Sequence, residues 1–526
     1  MKKPYQKRLL LLIGVSLLVR SLVAGLTELG NDEVYYWTYA LFPDWSHFDH
    51  PPMVGWVISL FTGHLTFDSA FMLRLPALVL GTLNTWLAWR LGLLTGSRKA
   101  GWYAAILYTG SLYATVLTGT FILPDAPLAT FYLSSLYFMF KACGCTNSTE
   151  EKPSFFFWAG LLAGGAMLSK YTGAFLWAGT LLYLLLYNRK ALASPWLWAG
   201  IGLSLVLFSP VIAWNVTHRA SGLLYHAERV AFFGKKPDFL SLGRELAGSF
   251  LYNNPINVVL MVWAIRQYLI QKHNRKDNTN LALPANPARS VLSSRSVLPV
   301  SPAFFRMVLC QSVPMIAVFV FFSLFRNTLP HWSAPAFFPL LILAATAAAH
   351  RNVHKPLRLS LGFVMLVLVA GTLQIRTGMV PLVTTEDVSL DMYGWKQLGT
   401  EFRTIQKEQE NLYALTGGKE GMPPRAALLA TRWFPAAHLD YYVAKPAGTV
   451  VKTTGTTERT HKYEEITALR GGIAPNEPLY YIQSNRYPQT LHGAVPIDTV
   501  FIYRCKKPVL QYIIHRVPHP TCFRAE

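Results

Sequence analysis

Eleven apolar runs, each close to 20 residues long, decide what this chain can fold into. They lie near 9–28, 74–95, 100–118, 125–141, 154–169, 171–187, 197–214, 251–270, 304–325, 332–349 and 357–375. A run of about 20 apolar residues spans a bilayer as a helix. Inside the hydrocarbon no water satisfies the backbone, so helical segments are the solution open to such runs. The expected fold is therefore a polytopic α-helical membrane protein of about eleven spans. The stretch 53–66 is apolar but short, and is expected as a helix lying at the interface. Charge agrees: 14% of the residues are charged, against about 25% in soluble proteins. Fifteen Trp and 25 Tyr suit a chain with many membrane–water boundaries. A net charge of +21 would suggest nucleic acid in a soluble protein. Here it is first sorted by membrane side, and no nucleic-acid partner is expected.

Orientation follows from where the basic residues fall. The start Lys2, Lys3, Lys7, Arg8 leads into an apolar run with no small-residue cleavage site, which reads as a retained first span. With a cytoplasmic N-terminus, the inside segments carry Arg98/Lys99, Lys141/Lys152, Arg189/Lys190, a polar loop around 271–303 with Lys272, Arg275, Lys276, Arg289 and Arg295, and then Arg351, Lys355 and Arg358. The outer loop 30–72 holds Asp32, Glu33, Asp44, Asp49 and Asp68; the outer loop 215–250 is basic, with Arg219, Arg229, Lys235, Lys236 and Arg244. That second loop breaks the rule and calls for a reason. Past residue 376 the long apolar runs stop, and alternating stretches such as 479–482 and 500–503 read as strands. The segment 391–406 reads as an amphipathic helix. The chain thus divides into a transmembrane domain, 1–375, and a soluble α/β domain outside the cytoplasm, 376–526. An oxidising compartment would permit a Cys505–Cys522 disulfide; two free thiols are the other reading.

The outer face carries the polar signals. Asn31-Asp32-Glu33-Val34-Tyr35-Tyr36-Trp37 places two carboxylates just after the first span. There they can serve as a general base or cation ligand, or as solvated loop acids. Phe48-Asp49-His50-Pro51-Pro52 follows, with prolines fixing the backbone beside an acid and an imidazole. A divalent cation shared by Asp32, Asp49 and Asp125 is a further option. Asp125, in Leu123-Pro124-Asp125-Ala126-Pro127, starts a span and reads equally as a helix cap. Lys170, in Leu168-Ser169-Lys170-Tyr171, sits in a tight turn between spans, where it can hold a phosphate or snorkel to the interface. Arg20, inside the first span, reads as functional or as an assembly contact. Acids on the first outer loops and bases on the later ones suit a phosphate-bearing substrate.

This ordered set of motifs resembles the GT-C glycosyltransferases over roughly residues 8–350. Within them it is most similar to the branch of the protein O-mannosyltransferases and the bacterial aminoarabinose transferase acting on lipid A. The resemblance implies a polyprenyl-phosphate-linked sugar as donor, most simply undecaprenyl phosphate in a bacterial inner membrane. It implies chemistry on the outer face, with inversion at the anomeric carbon. The acceptor would be lipid A, another glycan, a lipid or a protein. Residue by residue, Asp32 matches the acidic position of the first loop implicated in catalysis, with Glu33 beside it. Asp49 and His50 match a Glu-Lys-Pro element whose Lys lies near the lipid phosphate; His50 is a departure, cationic for part of the time near neutral pH. Asp125 and Lys170 match an acid beginning a span and a Lys after the fifth span. Arg229 resembles an Arg that contacts phosphate, and His331 falls where the family has a polar or aromatic residue near the site. The expected catalytic set is Asp32, Glu33, Asp49 and Asp125. The expected donor-phosphate set is His50, Lys170, Arg229 and His331. A transporter or flippase of lipid-linked sugars, or a non-catalytic binder of them, is the alternative. A phosphoethanolamine transferase would need nucleophile and metal ligands in residues 376–526, where His438, Asp440, His461 and His492 are scattered.

Overall fold

The computed structural model describes residues 3–147, 150–280, 300–489, 491 and 493–517. Arg289, Arg295, His492 and Cys522 lie outside the described residues, and with Cys522 so does the Cys505–Cys522 pairing. In chain order the first helices are α1 (Lys3–Leu26), α2 (Asn31–Leu41), α3 (Met53–Phe61), α4 (Ala70–Leu93), α5 (Arg98–Thr109), α6 (Asp125–Ala142), α7 (Phe155–Ser169) and α8 (Phe175–Tyr187). Next come α9 (Pro195–Thr217), α10 (Ser221–Val230), α11 (Phe239–Tyr252), α12 (Pro255–Asn280), α13 (Pro302–Ser323), α14 (Phe337–His350) and α15 (Lys355–Thr377). A helix lies in each of the eleven apolar segments. Five of them, α1, α4, α9, α13 and α15, are long and apolar enough to cross a membrane by themselves. The short stretch 53–66 holds the nine-residue α3. The basic segment 215–250 folds into α10 and α11.

The chain divides into two compact units. One comprises Met1–Ser21, His50–Val57 and Arg74–Leu366; the other comprises Leu22–Asp49, Ile58–Leu73 and Val367–Glu526.

In the first unit, close packing rests on glycine. Gly160 and Gly164 sit four apart on α7, the small-xxx-small spacing that lets membrane helices approach. A Cβ on Gly160 would stand 2.1 Å from the Gly200 carbonyl of α9, and one on Gly200 would stand 2.2 Å from the Phe156 carbonyl. Ser204 Oγ donates to the Gly160 carbonyl at 2.6 Å, fastening the same seam. Arg20 is buried, and its guanidinium donates to the Gly119 carbonyl at 2.7 Å and to Thr82 Oγ1 at 2.9 Å. Its structural role is thus assembly, with backbone carbonyls and a hydroxyl as partners. Leu10, Leu11, Leu205 and Val206 are exposed, as lipid-facing side chains are in a protein whose solvent there is hydrocarbon.

In the second unit, five strands among the described residues form one mixed sheet in the order β2-β1-β3-β5-β4, with β1 at Leu428–Ala430, β2 at Val451–Thr453, β3 at Leu479–Ser484, β4 at Val495–Arg504 and β5 at Lys507–Val517. β1 runs parallel to β2 and β3; β5 runs antiparallel to β3 and β4. The predicted strands 479–482 and 500–503 fall in β3 and β4. The predicted amphipathic helix is α16, Trp395–Leu415, which buries Leu398, Phe402 and Ile405 on one face. Cys505 is exposed at the β4–β5 turn, where Cys505 and Lys506 take φ of 49° and 66°. That is the left-handed pair a two-residue hairpin demands. The aromatic helix α2 also belongs to this unit. It is buried from Glu33 to Ala40 and packs on the short helix α17, Trp433–His438.

Candidate active site

The first unit gathers His50, Asp125, Lys170, Arg229 and His331 around one another. Lys170 ends α7 in an extended conformation, which turns its side chain out of the helical path. Its Nζ lies 2.9 Å from both carboxylate oxygens of Asp125, the first residue of α6. Tyr113, on a single π-helical turn (Tyr113–Leu117), donates its hydroxyl to Asp125 Oδ1 at 2.7 Å. Both members of the ion pair are buried, so each charge depends on the other for its solvation.

Arg229, on α10, places its guanidinium 4.8 Å from the centroid of the Trp332 ring and 5.2 Å from that of Tyr225. It has no carboxylate partner among the described residues, so it is the net positive charge left once Lys170 and Asp125 cancel. His226, on the same helix, stands 4.9 Å from the Tyr171 ring and 6.1 Å from His50. Burial, reinforced by Lys170, His226, Arg229 and His331, pushes the His50 imidazole well below its ordinary range. Burial and Lys170 lower His331 to about 4, with Asp125 opposing. Both imidazoles are therefore held toward the neutral form at pH 7. Neutral imidazoles still donate one N–H each, so the cluster offers an anion one guanidinium and several donors.

The segment bearing His331 is held from α11. Glu245 is buried and accepts from Thr328 Oγ1 at 2.7 Å and from Ser249 and Ser333 at 3.3 Å each. The basic loop 215–250 thus supplies both a charge, Arg229, and a support, Glu245.

The second unit holds the other acids. Asp32 is exposed in the first turn of α2, where the helix dipole favours a negative charge. Glu33 is buried and its Oε2 accepts the Gly30 backbone N–H at 2.9 Å, capping the same helix. Asp49 is buried and its Oδ1 accepts from the hydroxyls of Tyr35, at 3.0 Å, and Tyr39. Burial and the Asp49 charge push both phenols up, which keeps them as donors.

Comparison with known proteins identifies the architecture. Residues 49–214 match the family described as dolichyl-phosphate-mannose-protein mannosyltransferase. ArnT from Cupriavidus metallidurans in the apo state superposes with a TM-score of 0.58 at 14% identity, covering 97% of this chain and 98% of that one. The same protein bound to undecaprenyl phosphate gives 0.57 at 13% identity, covering 98% and 99%. The chain has the fold of ArnT over nearly its whole length. No curated protein matches it in sequence.

The family match takes in Asp49, His50, Asp125 and Lys170; Asp32, Arg229 and His331 lie outside it. Among the described residues no group of three or more His, Cys, Asp or Glu is gathered to hold a metal ion. Both oxygens of Asp125 lie against the Lys170 ammonium. Sequence reasoning missed Tyr113, His226 and Glu245. His226 carried a usable signal, since it precedes Arg229 by three and so shares its helix face.

Proposed function

We propose that this chain is a glycosyltransferase that moves a sugar from a polyprenyl phosphate to an acceptor of the bacterial cell envelope, a glycolipid such as lipid A, another glycan or a protein. The observation that carries this reading is the cluster of Arg229, Lys170, His50 and His331, one net cation among half-buried and buried hydrogen-bond donors. A lipid phosphate that leaves as the sugar–phosphate bond breaks needs such preorganised stabilisation of its growing charge. The matching fold of ArnT bound to undecaprenyl phosphate supports the same donor lipid. Asp32, exposed at the start of α2, serves as base for an acceptor hydroxyl, within hydrogen-bond reach of its proton. With a phosphate acceptor no base is required, and Asp32 orients the acceptor instead. Direct displacement then inverts the anomeric carbon. The protein would lie in the inner membrane with its N-terminus cytoplasmic and residues 376–526 periplasmic, as the basic residues of the short loops favour.

The test is mass spectrometry of envelope lipids and glycans from cells with the gene, without it, and with Asp32→Asn at matched expression. Loss of one sugar mass in both the deletion and the variant, with polyprenyl-phosphate sugar accumulating, is the expected result. Full restoration by Asp32→Asn would remove that residue from the chemistry and bring transport of the lipid-linked sugar forward.

A further inference from the structure

The C-terminal segment inserts a buried lysine into the loop that carries Asp49. Lys462 is 1% exposed. Its Nζ donates to the Phe42 carbonyl at 2.6 Å, and lies 2.6 Å from His47 Nδ1. The ammonium also sits 5.2 Å from the centroid of the Tyr39 ring. Its backbone N–H donates to the Tyr35 hydroxyl at 3.3 Å, and that hydroxyl donates onward to Asp49. One residue therefore holds both ends of the 42–49 loop and, through Tyr35 and Tyr39, the helix that carries Asp32 in its first turn.

A second observation is independent of these bonds. His461 adopts φ 51° and ψ −134°, a region that side chains other than glycine rarely enter. Such strain persists where the surroundings over-determine it, and it gathers at functional sites. Here the surroundings are aromatic. The His461 ring stacks on Trp433 at 5.3 Å and meets Phe48 at 5.3 Å and Tyr35 at 6.0 Å. The backbone is bent so that the next residue, Lys462, reaches the loop. A third tie lies at the start of α2, where His438 Nε2 hydrogen-bonds Asn31 Oδ1 at 2.9 Å while its ring stacks on Trp395.

We infer that Lys462 is a positioning residue for the transfer reaction, setting the acidic helix and the Asp49 loop from within the C-terminal sequence. The inference rests on the proposed catalytic role of Asp32. No carboxylate is within ion-pair reach of the ammonium among the described residues; Asp44 and Asp49 of the loop and Glu465, three residues on, act on it from farther off, with His47, Tyr35 and Tyr39 against it. Burial lowers it to about 8, so the charge is present at neutral pH and lost in mild alkali.

The experiment uses the full-length protein in phospholipid vesicles, with undecaprenyl phosphate as the binding probe. Transfer is followed by the mass shift identified in the envelope comparison. Lys462→Met is expected to lower kcat about a hundredfold, the usual cost of misplacing a reacting group by an ångström. Its Kd for undecaprenyl phosphate should stay within twofold. The wild-type kcat should fall as pH passes about 8, and that limb should be absent from the residual activity of Lys462→Met. The limb on the wild type is read without any variant having to fold. Wild-type kcat in Lys462→Met, or no alkaline limb in the wild type, would overturn the inference. Asp32→Asn, run alongside, separates the two ideas. If it is active, the catalytic reading fails; if it is dead while Lys462→Met is unimpaired, the positioning role alone fails.

Discussion

Lys170 and Asp125 show how much a single residue's partner changes its meaning. Either residue alone invites a role with substrate, but each is the other's counter-charge in a buried pair. Lys170→Met should therefore leave Asp125 stranded and cost about 3–5 kcal/mol. Lys170→Met with Asp125→Asn should recover most of that loss in thermal unfolding, whereas Arg229→Ala should weaken undecaprenyl phosphate binding with little effect on stability. The histidines give a pH signature. Burial lowers His438 to about 3 and, with help from Lys170, His331 to about 4, against an ordinary value of 6.5. As pH falls through 6.5 the unfolded chain takes up protons that the folded chain refuses until about 4 and below. The unfolded state then binds more protons, so stability declines across that window and is fully present above it. Thermal melts from pH 7.5 to 4 should show the decline, and His438→Gln should flatten it. An anion placed beside His50 and His331 raises both, so undecaprenyl phosphate binding near pH 6 should take up protons, measurable by calorimetry in buffers of different ionisation enthalpy. The residue types of this cluster were legible in the sequence, because short motifs flanking apolar runs put His50, Asp125, Lys170 and Arg229 at helix ends. Their pairing was not, since spacing along a chain does not say which helices are neighbours.

At the scale of elements, the helices were legible wherever burial in hydrocarbon forces a long apolar run. Their lengths were less so: the run 100–118 breaks after Thr109 and resumes as the π-helical turn that aims Tyr113. Helix α2 was invisible as a helix because it is buried on every side from Glu33 to Ala40, which erases the polar stripe that marks an amphipathic segment. Packing between α7 and α9 has its own consequence. With Gly160 and Gly200 each facing the other helix's backbone at about 2 Å from an added Cβ, Gly160→Ala must push the helices apart. A loss of about 1–3 kcal/mol is expected. Because α7 ends at Lys170, the shift should also reach the Asp125 pair; weaker undecaprenyl phosphate binding in Gly160→Ala, absent from a lipid-facing control such as Leu205→Ala, would show it.

On the scale of the whole molecule, the change of composition near residue 376 marks the sheet-bearing sequence, but no local signal announces that residues 22–49 and 58–73 join the same unit. The ties are long-range: Lys462 to Tyr35 spans 427 residues. A chain ending at 375 should accordingly leave residues 22–49 open to added protease in vesicles, and the full chain should protect them. The same distance sets a clock on biogenesis. At about 5–20 residues per second, roughly 20–90 s separate the synthesis of the acidic helix from that of the lysine that fixes it. During that interval the nascent chain carries its acids without the partners that aim them. A product that ends before residue 462 therefore keeps its acidic helix without the lysine that sets it, and on the proposed reading would transfer sugar slowly until that residue is made.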